Sequence, residues 1–364
     1  MSKRILVTGA AGFVGRRLVG FMLEKGYDVV AVDNIAPLTG GINPDQGWPL
    51  YNPKDYKNFT FHKVDCRAWF TKNLDQKFDY VFHLAAMVGG REIIENNPLI
   101  VAEDLSIDSH FWQWCSKAKP EKVVSFSSSA CYPIELQRHD NNRLLKEEDI
   151  SFEKNIGMPD MTYGWAKLTC EYLGQIAFQK YGIKSICYRP FSGYGEDQDL
   201  NYPFPSICKR ILINKNSKLI NVWGSGNQSR DFIYIDDCIE GVYKTMDKIN
   251  DGSAVNLSTG KLTSFIEFAK KTCGIIGFNP KVEGTSTKPE GVFARGGDVT
   301  KQYKLGFKYS TKFDDGIKKA LTFFETLQLQ GAKLAIADKI VKKIGNRLKF
   351  LTNVGLEYLS LSRS

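Results

Sequence analysis

A glycine-rich turn near the N-terminus constrains the fold more than any other feature of the chain. The apolar run Arg4–Thr8 leads directly into Gly9-Ala-Ala-Gly12-Phe-Val-Gly15, and a helical pattern follows at once. Gly9 permits a tight turn, Gly12 lets the backbone approach a pyrophosphate, and Gly15 lets the helix pack closely on the strand. The helix N-terminus then directs unpaired N–H groups and the positive end of its dipole at the phosphates. The turn therefore predicts a dinucleotide site in a βαβ unit.

The acidic residue that ends the next predicted strand selects among dinucleotides. Asp33 follows Gly15 by eighteen residues. A carboxylate there accepts hydrogen bonds from the ribose hydroxyls of adenosine and repels a 2′-phosphate, so it favours NAD over NADP. The alternative interpretation of the glycine-rich turn is a plain strand-to-helix turn that binds no dinucleotide. Asp65, at the end of the third strand, is predicted either to reach the adenine or to cap a helix. The other residues expected to line the cofactor are Phe13, Val14, Asn34, Cys66, Leu84, Ala85, Ala86 and Ser127.

Short β-branched runs alternate with helical stretches through the first half of the chain. Several runs are almost continuously apolar, which is typical of parallel strands covered on both faces. The predicted strands are Arg4–Thr8, Asp28–Asp33, Phe59–Asp65, Tyr80–Ala86, Lys122–Ser128 and Lys184–Arg189, and the predicted helices are Gly15–Lys25, Leu105–Ala118 and Tyr163–Tyr181. The alternation predicts an α/β fold with a Rossmann-type doubly wound parallel sheet.

The pattern changes near residue 195, where isolated strands are separated by loops rich in Gly, Asn and Pro. We interpret residues 1–195 as an NAD-binding domain and 196–330 as a smaller C-terminal substrate-binding lobe. An element around Asp231–Ile235 is expected to return to the main sheet, which would then take in part of 230–260. Residues 331–364 have apolar residues at helical spacing among lysines. This basic tail is expected to pack on the body or on a homodimer partner, and contact with an anionic membrane is the alternative.

Composition excludes several classes of protein. The net charge is +9, and the basic tail alone carries seven Lys/Arg against two carboxylates. No basic stripe interleaved with aromatic residues is present, so nucleic acid is not an expected partner. The N-terminus lacks a signal-peptide pattern and no apolar run approaches the ~18 residues needed to span a bilayer, so we expect a cytoplasmic protein. The eight cysteines are scattered without metal-ligand spacing, and we interpret them as free thiols rather than a metal site.

A Tyr-x-x-x-Lys pair opens the helix after the fifth strand, at Tyr163 and Lys167. Residues at i and i+4 share a helix face, so the ammonium can lower the pKa of the phenol. The tyrosinate can then remove a proton from a substrate hydroxyl as hydride leaves. The serine run 127–129 lies at the carboxyl end of a parallel strand, where open α/β sheets bind ligands. Ser129 is the predicted hydroxyl ligand, and simple capping of the strand end is the alternative.

The glycine turn, Asp33, the serine run and the Tyr-x-x-x-Lys pair together resemble the extended short-chain dehydrogenase/reductase superfamily, in its NAD-dependent epimerase/dehydratase branch. The resemblance covers about residues 3–325 and implies an NAD-dependent enzyme acting on a nucleotide-diphosphate sugar, in carbohydrate metabolism such as polysaccharide biosynthesis. Guanidinium groups suit a diphosphate. The substrate contacts that the resemblance implies are Arg230 and Arg295 on the diphosphate, Asp298 on a ribose hydroxyl, and Gly89, Gly90 and Ser192 near the sugar.

The segment Ser129-Ala-Cys131-Tyr-Pro resembles the SACIYP of GDP-mannose 3,5-epimerases and the SSCIYP of GDP-fucose synthases, although it is one residue shorter. That resemblance implies that Cys131 is an acid/base beside a transient 4-keto group, with Tyr202 at the position of the second acid/base, and it predicts C3/C5 inversion. A small buried apolar residue is the other interpretation of Cys131.

Four further functions stay open at this point. A 4-epimerase needs only rotation of the oxidised sugar and no cysteine. A 4,6-dehydratase usually carries an Asp-Glu pair after the catalytic serine, where this chain has Ala130 and Cys131. A nucleotide-sugar dehydrogenase or reductase would use the same site for net redox chemistry. A non-catalytic NAD-binding regulator would have no use for an activated phenol.

Overall fold

The computed structural model describes residues 2–37, 39–285 and 291–329. The first half of the chain alternates strands and helices, as the sequence predicts. The strands are Arg4–Thr8 (β1), Asp28–Asp33 (β2), Phe59–Lys63 (β3), Tyr80–His83 (β4), Lys122–Phe126 (β5) and Ser185–Pro190 (β6). The helices are Phe13–Glu24 (α1), Cys66–Lys72 (α2), Arg91–Asn96 (α3), Pro98–Val101 (α4), Glu103–Ala118 (α5) and Met161–Tyr181 (α6).

The second half contains shorter strands between helices. The strands are Ser192–Tyr194 (β7), Leu219–Trp223 (β8), Ser229–Tyr234 (β9), Asp251–Leu257 (β10), Leu262–Ser264 (β11), Lys281–Thr285 (β12) and Ala294–Arg295 (β13). The helices are Pro203–Ile213 (α7), Ile235–Thr245 (α8), Phe265–Ile276 (α9), Thr300–Lys304 (α10) and Phe313–Leu329 (α11).

The main sheet is parallel throughout and confirms the predicted Rossmann-type architecture. Within the described residues its order is β10-β6-β5-β4-β1-β2-β3. The order reverses between β1 and β4, and ligands of open α/β sheets bind outside the carboxyl ends of the strands at such a point. Thr8 at the end of β1 pairs with Val32 of β2 and with His83 of β4. The loops that follow these three strands therefore meet at one edge of the sheet.

The element predicted around Asp231–Ile235 does not join the main sheet, and this expectation is wrong. It forms β9, which pairs with β7, β11 and β13 in a separate small sheet. Side chains on a strand alternate between faces. Phe232 and Tyr234 accordingly pack in the core of the C-terminal lobe, whereas Ile233 packs in the core under the main sheet. The strand that returns to the main sheet is β10, within the expected range 230–260.

Among the described residues, no helix has the length and apolarity that crossing a membrane would require. All eight cysteines are buried and unpaired. The basic tail 331–364 lies outside the described residues, so the predicted membrane contact and homodimer stay predictions.

Candidate functional site

A cavity of about 780 Å³ lies at the carboxyl edge of the main sheet and is lined by both halves of the chain. Its size falls within the ~300–1,000 Å³ typical of small-molecule sites. The predicted residues that line it are Gly9, Gly12, Phe13, Val14, Gly15, Asp33, Asn34, Asp65, Cys66, Leu84, Ala85, Ala86, Gly89, Gly90, Ser127, Tyr163, Ser192, Tyr202, Arg230 and Arg295. Four predicted residues are outside the lining: Ser129, Cys131, Lys167 and Asp298.

The glycine turn has room only for glycine at the positions that the sequence pattern specifies. Gly9 has a φ of 70°, and a Cβ there would lie 2.6 Å from the backbone nitrogen of Ala85. A Cβ on Gly15 would lie 2.1 Å from the carbonyl oxygen of Gly9. The close approach brings the N-terminus of α1 to the cavity, and its N-cap, Gly12, carries no side chain to occupy the amides. The turn therefore forms a cradle that fits the pyrophosphate of NAD.

Asp33 stands at the carboxyl end of β2 and faces the cavity. Its Oδ2 accepts a hydrogen bond from the Ala11 amide at 2.9 Å, and its Oδ1 accepts one from the Ile35 amide at 2.7 Å. These bonds fix the carboxylate beside the glycine turn. Burial raises the pKa of Asp33, while the two amides act to lower it. The position fits a ribose ligand next to the pyrophosphate cradle.

We expect Asp33→Ser to weaken NAD binding by roughly tenfold, or ~1.4 kcal/mol, because a bidentate carboxylate is lost. The preference for NAD over NADP should narrow as well, since the charge that repels the 2′-phosphate is removed. Isothermal titration calorimetry with each dinucleotide measures both effects. Asp65→Ser is the matched control, because the Asp65 carboxylate is already engaged by Arg67. An unchanged preference in Asp33→Ser would contradict this role.

Asp65 behaves as the capping interpretation predicts. It is the N-cap of α2, and its Oδ1 accepts a hydrogen bond from the Arg67 amide at 2.8 Å. Its other oxygen pairs with the Arg67 guanidinium at 2.7 Å, and this pair lowers the pKa of Asp65. The side chain still lines the cavity, so capping and a place near the cofactor coexist.

The Tyr-x-x-x-Lys pair occupies the first turns of α6. Tyr163 lines the cavity, and Lys167 lies one turn further along, buried, with its Nζ 5.7 Å from the centre of the Tyr163 ring. Burial raises the pKa of Tyr163, whereas the charge of Lys167 and a hydrogen bond with Ser128 act to lower it. The geometry is that of a phenol activated by an ammonium group.

The serine beside this phenol is Ser128 rather than the predicted Ser129. Ser128 is the last extended residue after β5, with φ −156° and ψ 156°, and it lines the cavity. A short 3-10 turn, Ser129–Cys131, begins immediately afterwards. The turn carries Ser129 out of the cavity lining, where it is buried. Because the chain turns directly after Ser128, it is Ser128 and not Ser129 that remains at the cavity wall.

Cys131 is also misplaced by the sequence prediction. It is fully buried in a cluster with Tyr132, Leu145 and Phe191, and it does not line the cavity. Burial raises the pKa of the Cys131 thiol well above its usual value, so a thiolate is disfavoured there. Cys131 is the last residue of the 3-10 turn, and this segment is one residue shorter than the resembling motifs. The small-buried-residue interpretation of Cys131 is the one that fits.

Tyr202 does reach the cavity, from the N-cap position of α7. Burial raises its pKa above the usual range, and proximity to Tyr163 raises it further. The two phenols therefore line the same cavity and are close enough to interact electrostatically. A tyrosine that resists ionisation in this way can donate a hydrogen bond but is a poor base at neutral pH.

A cluster of arginines stands at the far end of the cavity. Arg230 and Arg295 line it as predicted, and Arg91, at the start of α3, lines it without having been predicted. A Cβ on Gly291 would lie 3.5 Å from Arg230 Nη2 and 3.8 Å from Arg91 Nη1, so these two guanidinium groups converge. Converging guanidinium groups suit a diphosphate. Arg91 directly follows the Gly89-Gly90 pair, a signal that sequence reasoning did not use.

Asp160 joins two of these arginines to the catalytic helix. Its Oδ1 lies 2.9 Å from Arg91 Nη1, and its Oδ2 lies 2.7 Å from Arg295 Nη2. Although burial opposes ionisation, Arg295 and Arg91 hold the pKa of Asp160 below its usual value. Asp160 is the N-cap residue of α6 but makes no capping hydrogen bond with its side chain. The next residue, Met161, has a φ of 58°, a strained conformation that such ion pairs help to hold.

Asp298 is the third residue that the structure moves away from its predicted role, after Ser129 and Cys131. Its Oδ1 accepts a hydrogen bond from the Thr300 amide at 2.8 Å, and the side chain lines a different cavity. A contact between Asp298 and a ribose in the main cavity does not fit this position.

Comparisons with known proteins identify the family of the chain. Residues 5–258 match the NAD dependent epimerase/dehydratase family. The chain is 29% identical over 330 residues to a putative UDP-glucose 4-epimerase of Methanocaldococcus jannaschii, covering 88% of this chain and 98% of that protein. It is 27% identical over 337 residues to a GDP-mannose 3,5-epimerase of Oryza sativa subsp. indica, covering 88% of this chain and 81% of that protein.

The fold is similar to that of UDP-glucose 4-epimerase from Thermotoga maritima, whose crystal structure was solved with UDP-glucose. The TM-score is 0.75 at 22% identity, and the match covers 89% of this chain and 99% of the other. The family match spans more than half of the chain and contains the pyrophosphate cradle, Asp33 and the Tyr163–Lys167 pair. This chain belongs to the NAD dependent epimerase/dehydratase family, and its cofactor is NAD.

Proposed function

We propose that this chain is a nucleotide-sugar epimerase that inverts C4 of a UDP-sugar. The observation that carries the proposal is the trio Ser128, Tyr163 and Lys167 at the carboxyl edge of the sheet, with the thiol of Cys131 outside the cavity lining. The 4-epimerase relative from Methanocaldococcus jannaschii supports the reaction and the nucleotide.

In this proposal each residue of the trio has one task. Ser128 binds the hydroxyl on C4, and Tyr163 accepts its proton. Lys167 stabilises the tyrosinate through its charge. Bound NAD supplies the hydride acceptor beside the Ala85-Ala86 stretch. Rotation of the 4-keto sugar within the cavity turns the other face of C4 toward the cofactor. C4 would then regain its hydride on that face, while Tyr163 returns the proton to the C4 oxygen.

The arginine cluster holds the substrate while the sugar moves. Arg230 and Arg295 bind the diphosphate in this proposal, and Arg91 adds a third guanidinium on the same side. Anchoring by the diphosphate leaves the sugar free to rotate, which C4 inversion requires.

Inversion at C3 and C5 is the second candidate, because a GDP-mannose 3,5-epimerase is among the relatives. That reaction needs an acid/base at the inverted carbon. Cys131 is outside the cavity, and Tyr202 has a pKa raised by burial. The remaining acid/base residue is therefore poorly suited, and we favour the C4 reaction.

Incubation in D₂O with NAD and a UDP-sugar or GDP-mannose distinguishes the two reactions. In C4 inversion the hydride returns to the same carbon, so we expect a C4 epimer without deuterium on the ring in proton NMR spectra. Inversion at C3 or C5 exchanges a carbon-bound proton and would place deuterium there. Cys131→Ala should keep its epimerase rate to within about threefold, since a buried small residue is replaced by another. Deuterium at C3 or C5, lost in Cys131→Ala, would contradict the proposal. A lasting change in NADH absorbance would indicate net redox chemistry instead.

A further inference from the structure

A buried acidic cluster, formed by Asp104, Asp108 and His83, lies beneath the catalytic pair. Asp104 Oδ2 is 3.8 Å from Lys167 Nζ, and both side chains are almost completely buried. Asp104 Oδ1 accepts a hydrogen bond from the Met87 amide at 2.5 Å. The Asp108 carboxylate contacts His83 Nε2 at 3.0 Å, and His83 Nδ1 contacts the Thr8 hydroxyl at 2.7 Å. The proposed reaction as described so far does not use this cluster.

Two carboxylate oxygens of the cluster have no hydrogen bond. Asp104 Oδ2 and Asp108 Oδ2 are buried and make no hydrogen bond. Unsatisfied buried oxygens on a carboxylate are costly, and each one in a native structure calls for an explanation. Met87, whose amide engages the other oxygen of Asp104, lines the cavity next to Ala86. Asp104 therefore connects the loop beside the cofactor to the catalytic lysine.

Titratable groups from three elements face Asp104 and Lys167. These are Glu103 and Asp108 from α5, His83 from β4, and Tyr163 and Cys170 from α6. Burial raises the pKa of Asp104 to about 7, with Lys167 acting to lower it and Asp108 to raise it. Burial acts to lower the pKa of Lys167, but Asp104 and Tyr163 raise it above its usual value. Asp104 in turn acts to raise the pKa of Tyr163.

We propose that Asp104 is a positioning residue that holds Lys167 and offsets its charge, so that the protonation state of Asp104 sets how readily Tyr163 becomes a base. The proposal rests on the roles of Tyr163 and Lys167 in the proposed function. When Asp104 is neutral, the lysine charge acts on the phenol unopposed. When Asp104 ionises, its negative charge offsets part of the Lys167 charge, and the pKa of Tyr163 rises. The tyrosinate is then a stronger base, but it forms only at higher pH.

The sign of the effect follows for a variant that cannot ionise. In Asp104→Asn the phenol loses a negative neighbour, so its pKa falls and the acid limb of the kcat/KM profile moves to lower pH. Lys167 loses the carboxylate that raises its pKa most, but its raised pKa places its deprotonation above the pH range of the test. The acid limb is therefore the one that reports on Asp104. A role that is only structural would lower activity at every pH without moving that limb.

The first test measures kcat/KM of the NAD-loaded protein between about pH 5 and 10. We expect the acid limb of Asp104→Asn to shift down by roughly one pH unit, as for the loss of one nearby charge. Glu103→Gln is the matched control, because it removes the neighbouring carboxylate on the same helix, which is half exposed. Its acid limb should move by less than half as much. Superimposable profiles for Asp104→Asn and the unmodified protein would overturn the proposal.

A second test needs no turnover, so its failure can be told apart from failure of the proposed function. Infrared difference spectra of the NAD-bound protein should contain the carbonyl band of a protonated buried carboxyl that disappears as the pH rises through neutrality. The band should be absent in Asp104→Asn and present in Asp108→Asn. If Asp104→Asn does not fold, Asp104→Glu should shift the band instead. The proposal would be overturned if no carboxyl band titrated near neutrality. It would also be overturned if the band disappeared in Asp108→Asn and remained in Asp104→Asn.

Discussion

Tyr163→Phe is expected to lower kcat by roughly 10²–10⁴-fold, the usual loss when a general acid/base is removed. The ring keeps its place on α6, so NAD and substrate binding should change little. Single-time-point NMR of the sugar product measures the rate, and a thermal shift with NAD checks that the cofactor still binds.

Tyr202→Phe provides the matched control, because it removes a second partly buried phenol from the same cavity. We expect a loss of less than about tenfold. Lys167 acts to lower the pKa of Tyr163. By contrast, burial, Tyr163 and Asp199 all raise the pKa of Tyr202, so Tyr202 is a hydrogen-bond donor rather than a base. Equal losses in the two variants would contradict the assignment of Tyr163 as the base.

Glu171→Gln is expected to cause a large loss of stability, about 3 kcal/mol. Glu171 on α6 pairs with Arg189 at the end of β6, with Nη2–Oε2 2.6 Å apart and both side chains almost completely buried. Removing the carboxylate leaves the buried positive charge of Arg189 without the negative charge that balances it. The Gln oxygen can keep one hydrogen bond, so we place the loss at the lower end of the range for broken buried pairs. Denaturant unfolding measures it.

The pair also supports the site, since Arg189 Nη1 donates a hydrogen bond to the Tyr132 hydroxyl at 3.0 Å, next to the turn that follows Ser128. Glu240→Gln is the control, because it breaks an exposed i,i+4 pair with Lys244. Exposed pairs contribute little, so its free energy of unfolding should change by less than about 0.5 kcal/mol. A similar loss of stability in both variants would contradict the prediction that burial makes the Glu171–Arg189 pair costly to break.

Local patterns predicted six of the seven strands that the structure describes in the main sheet, and β10 was expected only as part of the range 230–260. The runs Arg4–Thr8 and Asp28–Asp33 match their strands to the residue, because a strand covered on both faces must be apolar along its length. The Asp231–Ile235 run is also largely apolar, but it lies between the core under the main sheet and the core of the C-terminal lobe. The apolar pattern of the run does not show that it faces two different cores. Apolar pattern identifies a strand, but it does not identify the sheet that the strand joins.

The site divides in the same way. Tyr163 and Lys167 were predictable because the spacing i to i+4 on a helix fixes their relation without any other part of the chain. Ser128, by contrast, depends on where the chain bends after β5, and three adjacent serines carry no signal for that bend. The role predicted for Cys131 came from a resembling motif that is one residue longer, and in this chain Cys131 lies in the core.

By itself the sequence determined the glycine turn, Asp33 and the Tyr163–Lys167 pair, because each depends on the backbone and spacing of one short segment. Only the tertiary structure decided which serine meets the phenol, that Asp160 links Arg91 to Arg295, and that Asp104 lies under Lys167. These relations join residues far apart in the chain. Their distances and burial depend on how α3, α5 and α6 pack on the sheet, and no local pattern contains that information.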